Sequence, residues 1–441
     1  MEFSRLQNLF VVLLMITVFT AGVSFVLKNN KFYAYEQAAA ISDSQNNITE
    51  IVSDIPQENE SVAIEIPPPP PPQKLSNPPE VINAVYVTGW SAGSKSYLNY
   101  LANLFEATEI NAVVVDIKGS AGSVSYASSV GEVKKYNLSN NTIVDIDKLV
   151  RFFHDQNVYV IGRIAVFEDP VYSKVRPELA LYNKAKTEDM SNPILWKDNS
   201  GLSWLDPASK EVWEYNVSLA KDVFYHGFDE INFDYIRFPT DGKMENAGFP
   251  FWDVKTPMSV VIKEFFQYIR NNLPGEKISA DLFGLTTVNT DDMGIGQLLE
   301  SAFENFDYIA PMVYPSHYAK TFIGFDNPAE YPYEVIKYSM DKALNRKNIF
   351  LKKQQDMVIK SSEAVGSPAA ELQALIPTPV SNPVAKFRPW LQDFDMGAEY
   401  NADMVKKEIK ATQDALGSDF NGFMLWNPSN IYTQGAVLKP K

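Results

Sequence analysis

Cysteine is absent from all 441 residues of the chain. That removes disulfides, thiolate zinc sites and cysteine nucleophiles, and it leaves the redox compartment open, since an exported protein need not carry disulfides. Histidine is nearly absent, with His154, His226 and His317 the whole supply. Three imidazoles offer few bases for Ser-His-Asp chemistry, and such a hydrolase is not expected. Positive charge is also short: 39 Lys and Arg stand against 54 Asp and Glu, a net charge of −15. Affinity for a phosphate backbone depends on basic side chains, so nucleic acid is not an expected partner. No Gly-rich phosphate loop follows the first β-rich run, which disfavours a doubly wound nucleotide-binding sheet. Asp291 and Asp292 could attract calcium but lack a regular ligand loop, and no metal or cofactor is expected.

What the chain does have is apolar residues (45%) and aromatic rings (13%), ample for a large core. From Leu9 to Leu27 run 19 residues without a charge, LFVVLLMITVFTAGVSFVL. At 1.5 Å rise per residue this nearly covers a bilayer core, so residues 1–35 read as a transmembrane signal-anchor, with a cleaved signal peptide as the alternative. Residues 36–80 carry eight acids against one base, Lys74, and include the proline run Pro67 to Pro72. Such a composition builds no core and predicts an extended acidic spacer. The helix would give membrane contact, but the flanking charges Arg5, Lys28 and Lys31 do not settle orientation, and an extracytoplasmic placement of the following domain rests on the function read below.

From Val81 onward, β-branched or aromatic runs alternate with helical stretches, the pattern of βα units around a parallel sheet. Eight runs stand out: VINAVYVTG from Val81, NAVVVDIKG from Asn111, VYVIGRIAV from Val158, DEINFDYIRF from Asp229, KISADLFG from Lys277, FDYIAPMVY from Phe306, RPWLQDF from Arg388 and FNGFMLW from Phe420. Eight such units predict a (β/α)8 TIM barrel over residues 81–441. A helix is expected near Tyr333 to Asn345, and Gln354 to Val384, rich in Ser, Ala and Pro, reads as a flexible surface insertion.

In such a barrel the active site lies at the carboxyl ends of the strands. Period-two alternation in the fourth run turns Ile231 and Phe233 toward the helices and Glu230, Asn232 and Asp234 toward the barrel axis. Asp234 then ends the strand at the site. Glu230, roughly 13 Å deeper at about 3.3 Å per residue, should pair with a buried base, for which Arg163 is the candidate. Asp281 in the fifth run gives a second carboxyl beside Asp234, the pair that glycoside hydrolysis requires, with Asp234 the charged partner and Asp281 the acid. The alternative is that either aspartate is structural, anchored by Arg163 or Arg237. Other strand ends supply Asp116, Lys118, Tyr314, His317, Gln392, Asp393, Trp426 and Asn427, which join Arg163 and Arg237 as candidate substrate-binding residues.

The blocks YVTGWSAGS, VDIKG, WLDPASKEVWEY, GFDEINFDYIRFP, SADLFG, DYIAPMVYPSHY, WLQDFD and GFMLWNPSN resemble, in this order, a bacterial family of glycosyl hydrolase-like domains. The likeness runs from Val85 to Tyr432 and implies a barrel acting on a polysaccharide. A more distant similarity is to glycoside hydrolase family 18, through Asp229, Asn232, Asp234, Met312, Tyr314 and Trp426. The position of that family's proton-donating glutamate is Ile236, so its substrate-assisted mechanism does not transfer. α-Amylase-like barrels resemble the chain more loosely, in having a nucleophilic aspartate that ends strand four, where Asp234 stands. The resemblance implies hydrolysis of O-glycosidic bonds in a cell-envelope or extracellular polysaccharide. The rival expectations are a catalytically silent barrel that binds glycan through Trp90, Tyr314 and Trp426, and an envelope scaffold.

Overall fold

The computed structural model describes residues 70–364 and 384–439. All eight expected strands form: β1 (Ile82–Val87), β2 (Ala112–Lys118), β3 (Tyr159–Ala165), β4 (Glu230–Asp234), β5 (Lys277–Phe283), β6 (Tyr308–Met312), β7 (Trp390–Gln392) and β8 (Gly422–Trp426). Each pairs in parallel with its chain neighbour, and β8 pairs with β1, so the sheet closes into a barrel. Closure at the β8–β1 seam requires glycine at 422: its φ is +99°, and a Cβ there would lie 1.9 Å from the Ile82 carbonyl oxygen.

The strands are buried on both faces, which is why they read as nearly continuous apolar runs. Val85, Val113, Val115, Ile231 and Phe233 pack outward in the layer shared with the helices, whereas Ala84, Tyr86, Val114, Ile161, Trp390 and Met424 fill the interior. The principal crossover helices are α1 (Lys95–Ala107), α2 (Ile146–His154), α3 (Lys210–Tyr225), α4 (Met258–Asn272), α5 (Leu299–Phe303), α6 (Pro332–Ala364) and α7 (Ala402–Leu416). Several begin on side-chain caps: Ser94, Asp145, Ser209 and Asn401 each accept a backbone N–H of the first turn. On the carboxyl side of the barrel, the long loops after β3 and β4 are joined by a short antiparallel pairing of Tyr182–Asn183 with Ala247–Gly248.

Three expectations change. The helix expected over Tyr333–Asn345 continues as α6 to Ala364, because no Gly or Pro interrupts residues 333–364. The insertion expected from Gln354 therefore begins as helix, and residues 365–383 lie outside the described residues. The end of the expected spacer is docked on the barrel base: Arg151 Nη2 donates to the Pro70 carbonyl (2.8 Å), Pro72 is buried against Gly227, and the Leu75 amide donates to Asp229 Oδ1 (2.7 Å). Finally, Glu230 pairs with Arg388 instead of Arg163, both side chains being fully buried. The β3–β4 register sets Arg163 opposite Asn232, one inward-facing level above Glu230. The apolar run Leu9–Leu27 lies outside the described residues, among which no helix is long and apolar enough to cross a membrane.

Removing one partner of a buried ion pair strands the other charge, which typically costs about 3–5 kcal/mol, whereas replacing both by apolar groups can be neutral. Arg388→Met should therefore lower the unfolding free energy by about that amount in urea titrations, and adding Glu230→Leu should recover most of it. A double variant no more stable than the single one would contradict the pairing.

Candidate active site at the carboxyl ends of the strands

Arg163, projecting inward from β3, is the centre of the site. Its Nη1 meets Asp116 Oδ1 at 2.5 Å, its Nη2 meets Asp234 Oδ2 at 2.5 Å, and its Nε lies 3.2 Å from Asp234 Oδ2 and 3.8 Å from Asp281 Oδ2. A fully ionised set would place three negative charges on one positive charge in a water-poor interior. Asp281 eases that excess: burial, then the negative charge of Asp234, pushes its pKa well above the usual carboxylate range. Its Oδ1 accepts from Asn232 Nδ2 (2.8 Å) and Trp390 Nε1 (2.7 Å), while its Oδ2 is sealed from solvent without a hydrogen bond. The pull of Asp116, Asp234 and the other neighbouring groups outweighs burial and keeps Arg163 charged.

Asp234 is bonded through both oxygens, since Oδ1 accepts the Tyr235 amide at 2.6 Å. Tyr235 adopts φ +52°, a left-handed backbone that costs a side-chain-bearing residue on the order of 1–3 kcal/mol and that aims its N–H back at the carboxylate. Asp234, Tyr235, Arg237, Phe283, Gln297 and Met312 line a small cavity of about 10 Å³, room for roughly one water. Arg237 spreads its guanidinium over the rings of Trp204 and Phe283, 4.7 and 4.8 Å from their centroids. Below the cavity the layer is closed by aromatic rings. Tyr86 donates to Asp116 Oδ2 (2.5 Å) and stacks on Trp426 at 3.9 Å, and Trp426 meets Trp390 edge-on.

The structure thus brings together Asp116, Arg163, Asp234, Asp281 and Trp426, with Arg237 at the cavity wall. Tyr314 belongs with them, buried and within electrostatic reach of Asp281, Asp234 and Arg163. The remaining candidates are spent on structure. Lys118 is turned away by an irregularity in the β2–β3 pairing between Asp116 and Lys118, and forms a fully buried ion pair with Asp169 (2.7 Å). Gln392 ties β7 to the loop after β6 through Ser316 Oγ (2.8 Å). Asp393 accepts from the Thr433 amide (2.9 Å) and hydroxyl (2.6 Å), and burial pushes its pKa up to about 6. Asn427 braces the loop after β8 through the Ile431 carbonyl (2.6 Å).

The sequence reading passed over Tyr86 and Trp390, which the same inward-outward alternation would have placed inside, and Gln297, whose position carries no periodic signal. The expectation that no G-x-S-x-G elbow occurs is wrong at the level of spacing, since Gly89–Trp90–Ser91–Ala92–Gly93 has that pattern. Ser91 lies in a one-turn helix after β1, where its hydroxyl bonds to Thr88 (2.9 Å). No histidine base serves it: His154 pairs with Asp229, His226 with Asp147, and His317 Nδ1 lies 3.0 Å from Ser316 Oγ.

Burial pushes His317 down to about 4. Its unfolded pKa is near 6.5, so the unfolded chain takes up the proton first and stability is lost as the pH falls below that value. His317→Gln should lose less unfolding free energy than wild type between pH 7 and 4.5, by about 2 kcal/mol. Identical acid slopes would contradict a neutral buried imidazole.

A family model described as "Putative glycosyl hydrolase domain" matches residues 84–359 and 369–432. No curated protein matches the chain. Among solved structures, a hypothetical protein from Ruminiclostridium thermocellum is 41% identical over 45% of this chain and 96% of that one, with a TM-score of 0.40. The α-galactosidase TtGalA of Thermus thermophilus is 12% identical over 81% of this chain, with a TM-score of 0.42. The α-L-fucosidase isoenzyme 2 of Paenibacillus thiaminolyticus is 12% identical over 81%, with a TM-score of 0.47. The chain spans 60% and 48% of the lengths of these two enzymes. The family model covers well over half of the sequence, and the chain belongs to this family of glycosyl hydrolase domains.

Proposed function

We propose that the barrel hydrolyses O-glycosidic bonds of a cell-envelope or extracellular polysaccharide, with Asp234 as the charged carboxylate at the anomeric carbon. The observation that carries this reading is the convergence of Asp116, Asp234 and Asp281 on Arg163 at the carboxyl ends of the strands. Asp234 is clamped by the guanidinium and the Tyr235 amide at the edge of a small cavity, and burial and the charge of Asp234 push the carboxyl of Asp281 beside it toward its protonated form. Glycoside hydrolysis passes through an oxocarbenium-like centre and needs one carboxylate charged and one carboxyl protonated at the same pH. Two like groups in a shared low-dielectric site separate in this way because both cannot ionise against a single cation. Asp116, through its bonds to Arg163 and Tyr86, fixes the guanidinium and so the orientation of Asp234. The half-exposed Trp426 offers a sugar one edge of a ring whose face is occupied by Tyr86. The uncharged run Leu9–Leu27, as an anchor, and the acidic segment after it would hold the barrel beside an extracytoplasmic glycan.

The test is reducing-sugar release by the full chain on a panel of bacterial and plant polysaccharides. Wild type should release sugar from at least one, and Asp234→Asn should reduce that rate by on the order of 10²-fold or more. A wild-type protein that binds a glycan without releasing sugar would replace the hydrolase with a glycan-binding barrel.

A further inference from the structure

We infer that Glu168, in the loop that follows β3, is the carboxyl that protonates the leaving glycosidic oxygen, a reading that rests on the hydrolytic function proposed above. The chain beyond β3 keeps company with the chain beyond β4: the Val166 amide donates to the Asp234 carbonyl (2.9 Å) and the Phe167 amide to that of Tyr235 (3.3 Å). Glu168 therefore rises on the rim next to the strand that carries Asp234. Its backbone is fixed on the other side by bridge pairing with Trp204, with Leu205 donating to the Phe167 carbonyl at 2.8 Å.

The side chain has no structural employment. It is 6% exposed, yet its carboxyl makes no hydrogen bond to another described residue. The charged groups facing it are Asp198, Arg237, Asp241 and Asp234. Asp198 is committed to Trp204 Nε1 (2.9 Å) and the Leu202 amide (2.9 Å), Asp241 accepts from the Asn199 amide (3.4 Å), and Arg237 Nη1 donates to the Phe238 carbonyl (3.0 Å). Burial, then the negative charge of Asp198, pushes the pKa of Glu168 well above the usual range and so favours the protonated carboxyl that a proton donor needs. The pKa of Asp281 is raised in the same direction, but the residue is 1% exposed, with Oδ1 taken by two donors and Oδ2 sealed from solvent. A proton donor must reach the leaving atom, and Glu168, on the rim beside the chain that carries Asp234, is better placed for that than Asp281.

In the step, Glu168 gives its proton to the glycosidic oxygen as the bond from that oxygen to the anomeric carbon breaks, and the bonding pair leaves with the oxygen. Asp234 faces the positive charge that develops on the carbon. Water then supplies the hydroxyl to that carbon and, in net, the proton that restores Glu168, so one water is consumed per bond cleaved.

The test compares the polysaccharide that the full chain cleaves with glycosyl fluorides of the released sugar in both anomeric forms, because fluoride departs without being protonated. Glu168→Gln should lower kcat/KM on the polysaccharide by on the order of 10²–10⁴-fold and remove the alkaline limb of its pH profile. Its kcat/KM on the fluoride should be largely retained, whereas Asp234→Asn should lose both substrates. Glu168→Asp, which shortens the reach but keeps the acid, should fall between wild type and Glu168→Gln on the polysaccharide alone. An equal loss on both substrates, or no loss on either, would overturn the role of Glu168 while leaving the hydrolase in place. A wild-type protein that turns over neither polysaccharide nor fluoride would instead overturn the hydrolytic reading itself.

Discussion

A guanidinium sealed inside a barrel is tolerable only when its charge is answered in place, and Arg163 is answered from three strands. Asp116 on β2 and Asp234 on β4 hold it at 2.5 Å, and Asp281 on β5 stands 3.8 Å from its Nε. Desolvation of all these groups is expensive, so the arrangement persists only because the hydrogen bonds around it are nearly complete. One positive charge cannot answer three negative ones, and the pKa of Asp281, the most deeply buried of the three, is pushed well above the usual carboxylate range. Charge balance in the barrel interior thus sets neighbouring carboxyls apart.

The rings beneath the site serve that balance. Tyr86 stacked on Trp426, with Trp390 edge-on to both, excludes water from the floor and lets the Arg163 contacts act in a medium of low polarity. Trp390 and Tyr86 also contribute a hydrogen bond each to Asp281 and Asp116, so the layer is apolar in bulk and polar where it meets a carboxylate. At the next level down, Glu230 and Arg388 repeat the pattern as a closed pair with no access to the cavity. The upper pair of levels differs in one respect that matters for function: Asp234 lies on the cavity wall.

The eight strands were legible because a parallel barrel buries both faces of each strand, which writes runs such as AVVVDIK into the sequence. Alternation in EINFD placed Asp234 and Asn232 on the inner face, as found. What alternation cannot supply is register between strands, so the partner of Glu230 was misassigned by one inward-facing level. It also fails where the ladder is irregular. Lys118 has the same parity as Asp116, but the break in pairing between them turns the lysine onto Asp169. Gln392, Asp393 and Asn427 were visible as polar strand ends, yet loop closure claims their hydrogen bonds. Glu168 lies past the end of β3, where no period applies, and only the fold brings it alongside Asp234.

The dependence of the site on one cation is tested most directly by the pH dependence of the stability lost on Arg163→Met. Without the guanidinium, the buried carboxyls of Asp116 and Asp234 resist ionisation, so their folded-state pKa values rise above those of the unfolded chain. A carboxyl of this kind destabilises the fold increasingly as the pH rises through its unfolded value of about 4, so the loss should be small near pH 3 and grow to several kcal/mol by pH 7. A loss that stays constant across that range would mean that Arg163 contributes packing alone and that the carboxylates do not depend on its charge.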